Sequence, residues 1–216
     1  MINKNMTIEE AVKDNPNIIE KLEQVGIDYC CGGSAPLEDA ISEIGFDPDS
    51  FINILNNIEK PVELDSKLEE VLKLDTDKLI DYIISVHHKK DLELIEEIDK
   101  SLRKVIKAHY INHGDNLKDI YQVFLLIKAD LIPHFAAEEE IDFPKLKRGE
   151  KLDFSTLIAE HEKVGSLLER IKNLTNDFKL PEDACATYSK SYELLKELSD
   201  DLKTHIFLEN NELFAR

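Results

Sequence analysis

Apolar positions recur at three- and four-residue intervals almost from end to end of this chain, and no stretch alternates in the two-residue rhythm of a strand. Near the N-terminus the helical pattern comes in short pieces. Thr7-Ile8-Glu9-Glu10 reads as a capping box. Pro16 suits a first helical turn, Ile18, Ile19, Leu22 and Val25 follow on one face, and Gly26 suits the stop. Ser34 and Pro36 open a helix bearing Leu37, Ala40, Ile41 and Ile44. Asp47-Pro48 opens another, bearing Phe51, Ile54, Leu55 and Ile58. From about residue 76 the pieces lengthen. Four amphipathic helices are predicted: about 76–112 ending near Gly114, about 117–142 with a bend at Pro133, about 155–178, and from Pro181 to about 213. Short connections make such helices antiparallel neighbours. The expected fold is all-α: a small helical domain over 1–58, a linker over 59–75, and an up-down-up-down four-helix bundle over 76–216. Within the linker, Pro61 and many charges argue for a connection. Leu64, Leu68, Val71 and Leu72 can still form a loosely docked helix.

Composition narrows the function. The 216 residues carry 27 Lys and Arg against 45 Asp and Glu, a net charge of −18, which argues against a nucleic-acid or anionic-lipid surface. The acidity is uneven, −11 over residues 1–75 and −7 over the rest, and this step supports the domain boundary. The longest strictly apolar runs are a few residues, as in Phe124-Leu125-Leu126-Ile127, far short of a bilayer span. Met1 to Glu10 holds no apolar signal core. Three Cys, two of them adjacent, make no disulfide framework and fit a reducing, cytoplasmic setting.

The chemistry lies in a repeated spacing. Asp130-Leu131-x-x-His134-x-x-x-Glu138-x-x-x-x-Phe143 matches Asp201-Leu202-x-x-His205-x-x-x-Glu209-x-x-x-x-Phe214 without a gap. Each His and Glu, four apart, share one helix face. His134 follows Ile127 and Leu131 on an apolar stripe, and His205 follows Leu198 and Leu202. His161 sits among Leu157, Ile158, Val164 and Leu168, and His88 among Ile84, Leu92 and Ile95. Four His and two Glu on core faces suggest a dinuclear metal cage, because unpaired buried carboxylates cost several kcal/mol per ion. Nitrogen and oxygen donors without thiolate suit iron or manganese, with zinc a further option, and a carboxylate-bridged pair in a bundle favours iron. An open position on such a centre would take small diatomic or peroxidic ligands.

Other residues have weaker claims. His87 abuts His88 and shares a face with Ile83 and Asp91, so the spacing favours His88 without excluding His87. Asp130 and Asp201 stand equally as supports for the His one turn on and as surface acids. His109 and His113, four apart, read as a solvated helix end ahead of a supporting or loop pair, and Cys185 reads as structural. Cys30-Cys31-Gly32-Gly33 reads equally as a glycine turn with two small thiols and as a loop presenting thiolates for exchange or transient iron binding.

Taken together, the motifs resemble those of the iron–sulfur cluster repair di-iron proteins (the repair-of-iron-centres, ScdA-type family) over nearly the whole length. The resemblance rests on Gly26-Ile27-Asp28-Tyr29-Cys30-Cys31-Gly32-Gly33, His87-His88, His134-x-x-x-Glu138-Glu139, Glu160-His161-Glu162-Lys163-Val164-Gly165, Asp183-Ala184-Cys185 and His205-x-x-x-Glu209-Asn210-Asn211. It implies a hemerythrin-like bundle with two iron ions, oxo- and carboxylate-bridged, on His88, His134, Glu138, His161, His205 and Glu209. It selects His88 over His87. It also implies a homodimer, damaged iron–sulfur proteins as targets, and a role for Cys30 and Cys31 beside the irons. Nitric oxide, oxygen or peroxide are the implied small ligands. Nitric oxide reductase-like and iron-donor activities both fit. A hemerythrin-like oxygen, nitric oxide or iron sensor without catalysis is the rival reading, and Cys30-Cys31-Gly32-Gly33 is the feature that a plain carrier would not need.

Overall fold

A computed structural model describes residues 1–58 and 66–216. Every regular element among those residues is a helix, and the one strand-like feature is an isolated bridge between Thr7 and Pro36. Of the linker expected over 59–75, residues 59–65, with Pro61 and Leu64, lie outside the described residues. The rest of that stretch includes a helix that buries Val71. The chain divides into two compact units, Met1–Ile80 with Ile206–Arg216, and Asp81–His205.

The first unit contains α1 (Ile8–Asp14), α2 (Ile19–Val25), α3 (Leu37–Glu43), α4 (Pro48–Asn56) and α5 (Ser66–Leu72). Thr7 and Glu10 form the capping box that the sequence predicts. Gly26 ends α2 at φ +80°, the left-handed conformation that glycine enters most easily. Ile8, Val12, Ile18, Leu22, Leu37, Ile41 and Leu55 are buried to 2% exposure or less and make a continuous small core. The glycine loop closes onto the start of α1: the N–H groups of Ile8 and Glu9 donate to the carbonyls of Ala35 and Gly33. Asp28 Oδ1 accepts from the N–H groups of Cys30 (3.0 Å) and Cys31 (2.9 Å), an Asx-type turn that sets both cysteines. The C-terminal segment belongs to this unit as well. Asn210 and Asn211 each donate to the Cys30 carbonyl at 3.3 Å, and Tyr29 stands against Phe207.

The second unit is an antiparallel bundle. α6 (Thr76–Tyr82) leads through a π-helical turn (Ile83–His88) into α7 (Lys89–Ala137). α7 is two arms in one helical run. Asp99 bonds Tyr121 at 2.7 Å and Lys128 at 2.8 Å, so the chain has reversed between them. The backbone leaves helical dihedrals at His109 (φ −112°, ψ 17°), not at Pro133. The reversal thus falls at His109, a few residues before the helix end expected near Gly114. Ala129 and Pro133, the pair that loses a backbone bond through the proline, both line an open cleft. The second arm continues through another π turn (Glu138–Asp142) into α8 (Phe143–Lys147), with Pro144 in its first turn rather than beyond the helix end. α9 (Ser155–Leu174) ends earlier than its sequence pattern, because Asn176, Asp177 and Phe178 all take positive φ. α10 (Ala186–Phe207) runs antiparallel to the first arm, with Lys90 bridging Glu197 and Asp201.

Two stability tests follow. A Cβ on Gly32 would lie 2.7 Å from the Asp28 carbonyl oxygen, a backbone atom that cannot swing aside. Gly32→Ala should therefore cost about 1–3 kcal/mol, read from urea denaturation. Asp99 is the second case. Burial pushes its carboxyl up, but hydrogen bonds from Lys128, Tyr121 and Arg103 outweigh that and hold it down at about 2. A lowered carboxylate stabilises the fold above the unfolded pKa of about 4 and loses that contribution as pH falls towards 2. Asp99→Asn should lower the thermal midpoint at pH 7 and flatten its fall between pH 4 and 2.

Candidate metal centre

His88, His134, Glu138, His161, His205 and Glu209 are all buried, with exposures of 7% or less. Three of the four helices that carry them contain a π turn, and each turn touches a candidate residue. The N–H of Lys89 reaches the carbonyl of Ile84, that of Phe143 reaches Glu138, and that of Phe214 reaches Glu209. The sequence repeat thus extends to the backbone. Glu138 and Glu209 occupy matching positions and each accepts the five-residue bond of its own turn. Such turns are rare and concentrate at functional sites.

Within the second unit the donors fall into two groups that share Glu138. Donor atoms of His88, Glu138 and His205 lie within 4.8 Å of one another, as do those of His134, Glu138 and His161. The Glu138 carboxylate spans the groups, with Oε2 3.5 Å from His88 Nε2 and Oε1 3.4 Å from His134 Nε2. Glu209 follows His205 by one turn and is fully buried.

The outer nitrogens set the tautomers. His88 Nδ1 is 2.8 Å from Glu139, His134 Nδ1 is 2.7 Å from Glu160, and His205 Nδ1 is 3.3 Å from Asp91. An ionised carboxylate only accepts, so each contact favours the tautomer with the proton on Nδ1, which leaves Nε2 as the nitrogen suited to a metal. His88 Nε2 and His205 Nε2 nevertheless face each other at 3.2 Å, and His134 Nε2 meets His161 Nε2 at 3.1 Å. In the first pair two lone pairs converge beside a buried carboxylate. That donor set fits a cation: imidazole nitrogens and carboxylate oxygen, with no thiolate.

The supports differ from those weighed in the sequence. Asp130 pairs with Lys163 and Asp201 with His87 and Lys90, so neither holds the imidazole one turn on. Glu139, Glu160 and Asp91 do that work. Glu139 and Glu160 each directly adjoin a candidate residue, a signal the three-and-four spacing does not capture. Burial pushes the Asp91 carboxyl up to about 6, against the opposing pull of His205. His87 is buried, but its Nδ1 bonds Asp201 at 2.7 Å and its ring stacks on His205. Burial works against the Asp201 carboxylate, but His87 and Lys90 outweigh it and hold it below the usual range. A cleft of about 230 Å³ lined by Ala129, Pro133, Ala137 and Val164 reaches His134 and His161.

The cysteine loop is distinct in character. Cys30 is buried, and its Sγ lies 3.8 Å from that of Cys31 and 3.2 Å from Asp28 Oδ1. The contact with Cys31, burial and the Asp28 charge all push the Cys30 thiol up, so it rests protonated. Cys31 is half-buried. Elsewhere, His109 and His113 are half-buried and not a bare helix end, since His113 Nε2 meets Asp183 at 2.7 Å. Cys185 is exposed rather than part of the core, and the His109 imidazole holds its thiol down at about 7.

Two family models match this chain. Residues 79–216 match the hemerythrin HHE cation binding domain, and residues 4–59 match a domain of unknown function, DUF542. The iron-sulfur cluster repair protein ScdA of Staphylococcus haemolyticus is 32% identical, over 100% of this chain and 99% of its own length. The iron-sulfur cluster repair protein YtfE of Enterobacter sp. is 32% identical, covering 96% of this chain and 94% of its own. YtfE of Escherichia coli is 33% identical, covering 88% and 86%. The chain therefore belongs to the ScdA-type iron–sulfur cluster repair family, with a DUF542 domain followed by a hemerythrin HHE cation-binding bundle.

Proposed function

We propose that this protein repairs damaged iron–sulfur clusters in the cytoplasm, using two iron ions in the bundle. His88 and His205 hold one ion and His134 and His161 the other. Glu138 and Glu209 are shared between them. The observation that carries this reading is the Glu138 carboxylate, whose two oxygens lie 3.5 and 3.4 Å from the Nε2 atoms of different imidazoles. Glu209 is assigned by its match to Glu138 in the repeat, its place one turn beyond His205, and its complete burial. Iron held by these residues would supply ligand-exchange chemistry towards nitric oxide, oxygen or peroxide, or serve as the ion given to a damaged cluster.

The chain's own residues have separable roles. Glu139, Glu160 and Asp91 hold the Nδ1 protons, which keeps the Nε2 lone pairs directed inward. Ala129, Pro133, Ala137 and Val164 line the approach along which a small ligand reaches His134 and His161. Cys30 and Cys31 supply thiols for exchange or transient iron binding. Cys31 is the more accessible of the two, and its contact with Cys30, together with burial, pushes the Cys30 thiol up. Leu125 and Ile132 are exposed and seven residues apart on one face of α7, which supports a homodimer surface. A second reading, a sensor or binding module without turnover, draws on the same buried and protonated Cys30, which is the opposite of an activated thiolate.

Metal analysis of purified protein, with optical titration by nitric oxide under reducing conditions, should give two irons per chain and a nitrosyl spectrum. One zinc and no response would remove the reading. Among variants, His88→Ala and Glu138→Ala should each lose at least one ion, whereas His87→Ala should keep both. Equal losses from His87→Ala and His88→Ala would contradict the assignment. A chain with both Cys30→Ala and Cys31→Ala should bind iron normally yet fail to restore a cluster enzyme inactivated by nitric oxide. Full restoration would favour the thiol-independent reading.

A further inference from the structure

A second cluster of donors lies at the reversal of α7, separated from His88 by roughly 30 Å of helix. His109 and His113 are one turn apart there, and donor atoms of His109, His113 and Asp183 lie within 4.8 Å of one another. Asp183 is fixed from both sides: Oδ1 is 2.7 Å from His113 Nε2, and Oδ2 accepts from Asn112 Nδ2 at 3.1 Å. Tyr188, 1% exposed, stands edge-on to both imidazoles, at 5.3 Å and 90° from His109 and at 5.9 Å and 81° from His113. A buried aromatic against both rings limits their rotamers. Cys185 directly precedes the first residue of α10 and hydrogen-bonds to His109, with the N–H groups of Thr187 and Tyr188 directed at it. It is exposed, so rotation about its Cα–Cβ bond can turn the sulfur towards the other three donors.

We propose that His109, His113, Asp183 and Cys185 form a second, mononuclear site for a zinc-type divalent cation. Two imidazole nitrogens, one carboxylate oxygen and one thiolate sulfur make a four-donor set of the kind that takes zinc tetrahedrally, and nitrogen with sulfur disfavours magnesium and calcium. A surface ion pair accounts for His113 and Asp183 but leaves His109 and Cys185 unexplained. The imidazoles bind as neutral donors, and the proton of the Cys185 thiol is released to solvent on binding. The site ties the α7 reversal to the start of α10, so its role is to hold the bundle closed at that end. Sulfur separates it from the centre at His88 and His134, which has none.

The test uses the full chain stripped by chelator, with Co²⁺ alone as the probe. A thiolate-to-cobalt charge-transfer band should grow to one equivalent. It should persist in a chain with Cys30→Ser and Cys31→Ser, disappear in Cys185→Ser, and be displaced by Zn²⁺. Asn112→Ala, which removes the support behind Asp183, should weaken cobalt binding about 10-fold while helicity is unchanged. The absence of the band, its survival in Cys185→Ser, or its loss with Cys30 and Cys31 would each overturn the proposal. Filling of the centre at His88 and His134 gives no thiolate band, so failure here leaves the repair reading intact.

Discussion

A carboxylate on one nitrogen of an imidazole decides what the other nitrogen can do. Glu139, Glu160 and Asp91 each take an Nδ1–H, and the bare Nε2 atoms then turn into the bundle, where apolar side chains surround them. Two imidazole nitrogens 3.2 Å apart, beside a carboxylate with no measurable exposure, make a compact set of donors facing one point. The bundle around them is built to keep that arrangement. Phe135 stacks on His88 at 4.3 Å and Phe143 at 5.8 Å, so apolar rings hold the imidazole in place.

The inward residues were legible from sequence because helical periodicity places them and apolar neighbours report their direction. The repeat between 130–143 and 201–214 added what periodicity alone lacks, the pairing of each His with a Glu. The supports were not legible in the same way. Asp130 and Asp201 stand one turn before His134 and His205 and look like natural partners, but Lys163, His87 and Lys90 claim them. Glu160 and Asp91 act across helices, and spacing within one helix carries no information about that. The cluster at His113 and Asp183 joins residues 70 apart at a loop, beyond any local pattern.

The first unit makes a related point at the cysteine loop. The glycines there read as a turn, and they are one: Gly32 lies too close to the Asp28 carbonyl to carry a side chain. The sequence could not say what the turn holds. Asn210 and Asn211 clasp the Cys30 carbonyl from the helical turn that also carries Glu209. The resting place of the thiols and the backbone around Glu209 are therefore fixed by the same few bonds.

Each π turn spends one residue more than an α turn would, and this shifts the angular phase of everything beyond it by roughly 100°. A single-residue deletion within Glu138–Asp142 or Leu208–Leu213 would restore regular hydrogen bonding and improve the helix as a helix. It would also rotate Phe143 or Phe214 off its present face. The chain retains the less favourable backbone in both repeats at the same register. Local helical regularity and the aim of the buried side chains are in competition here, and the aim has prevailed twice.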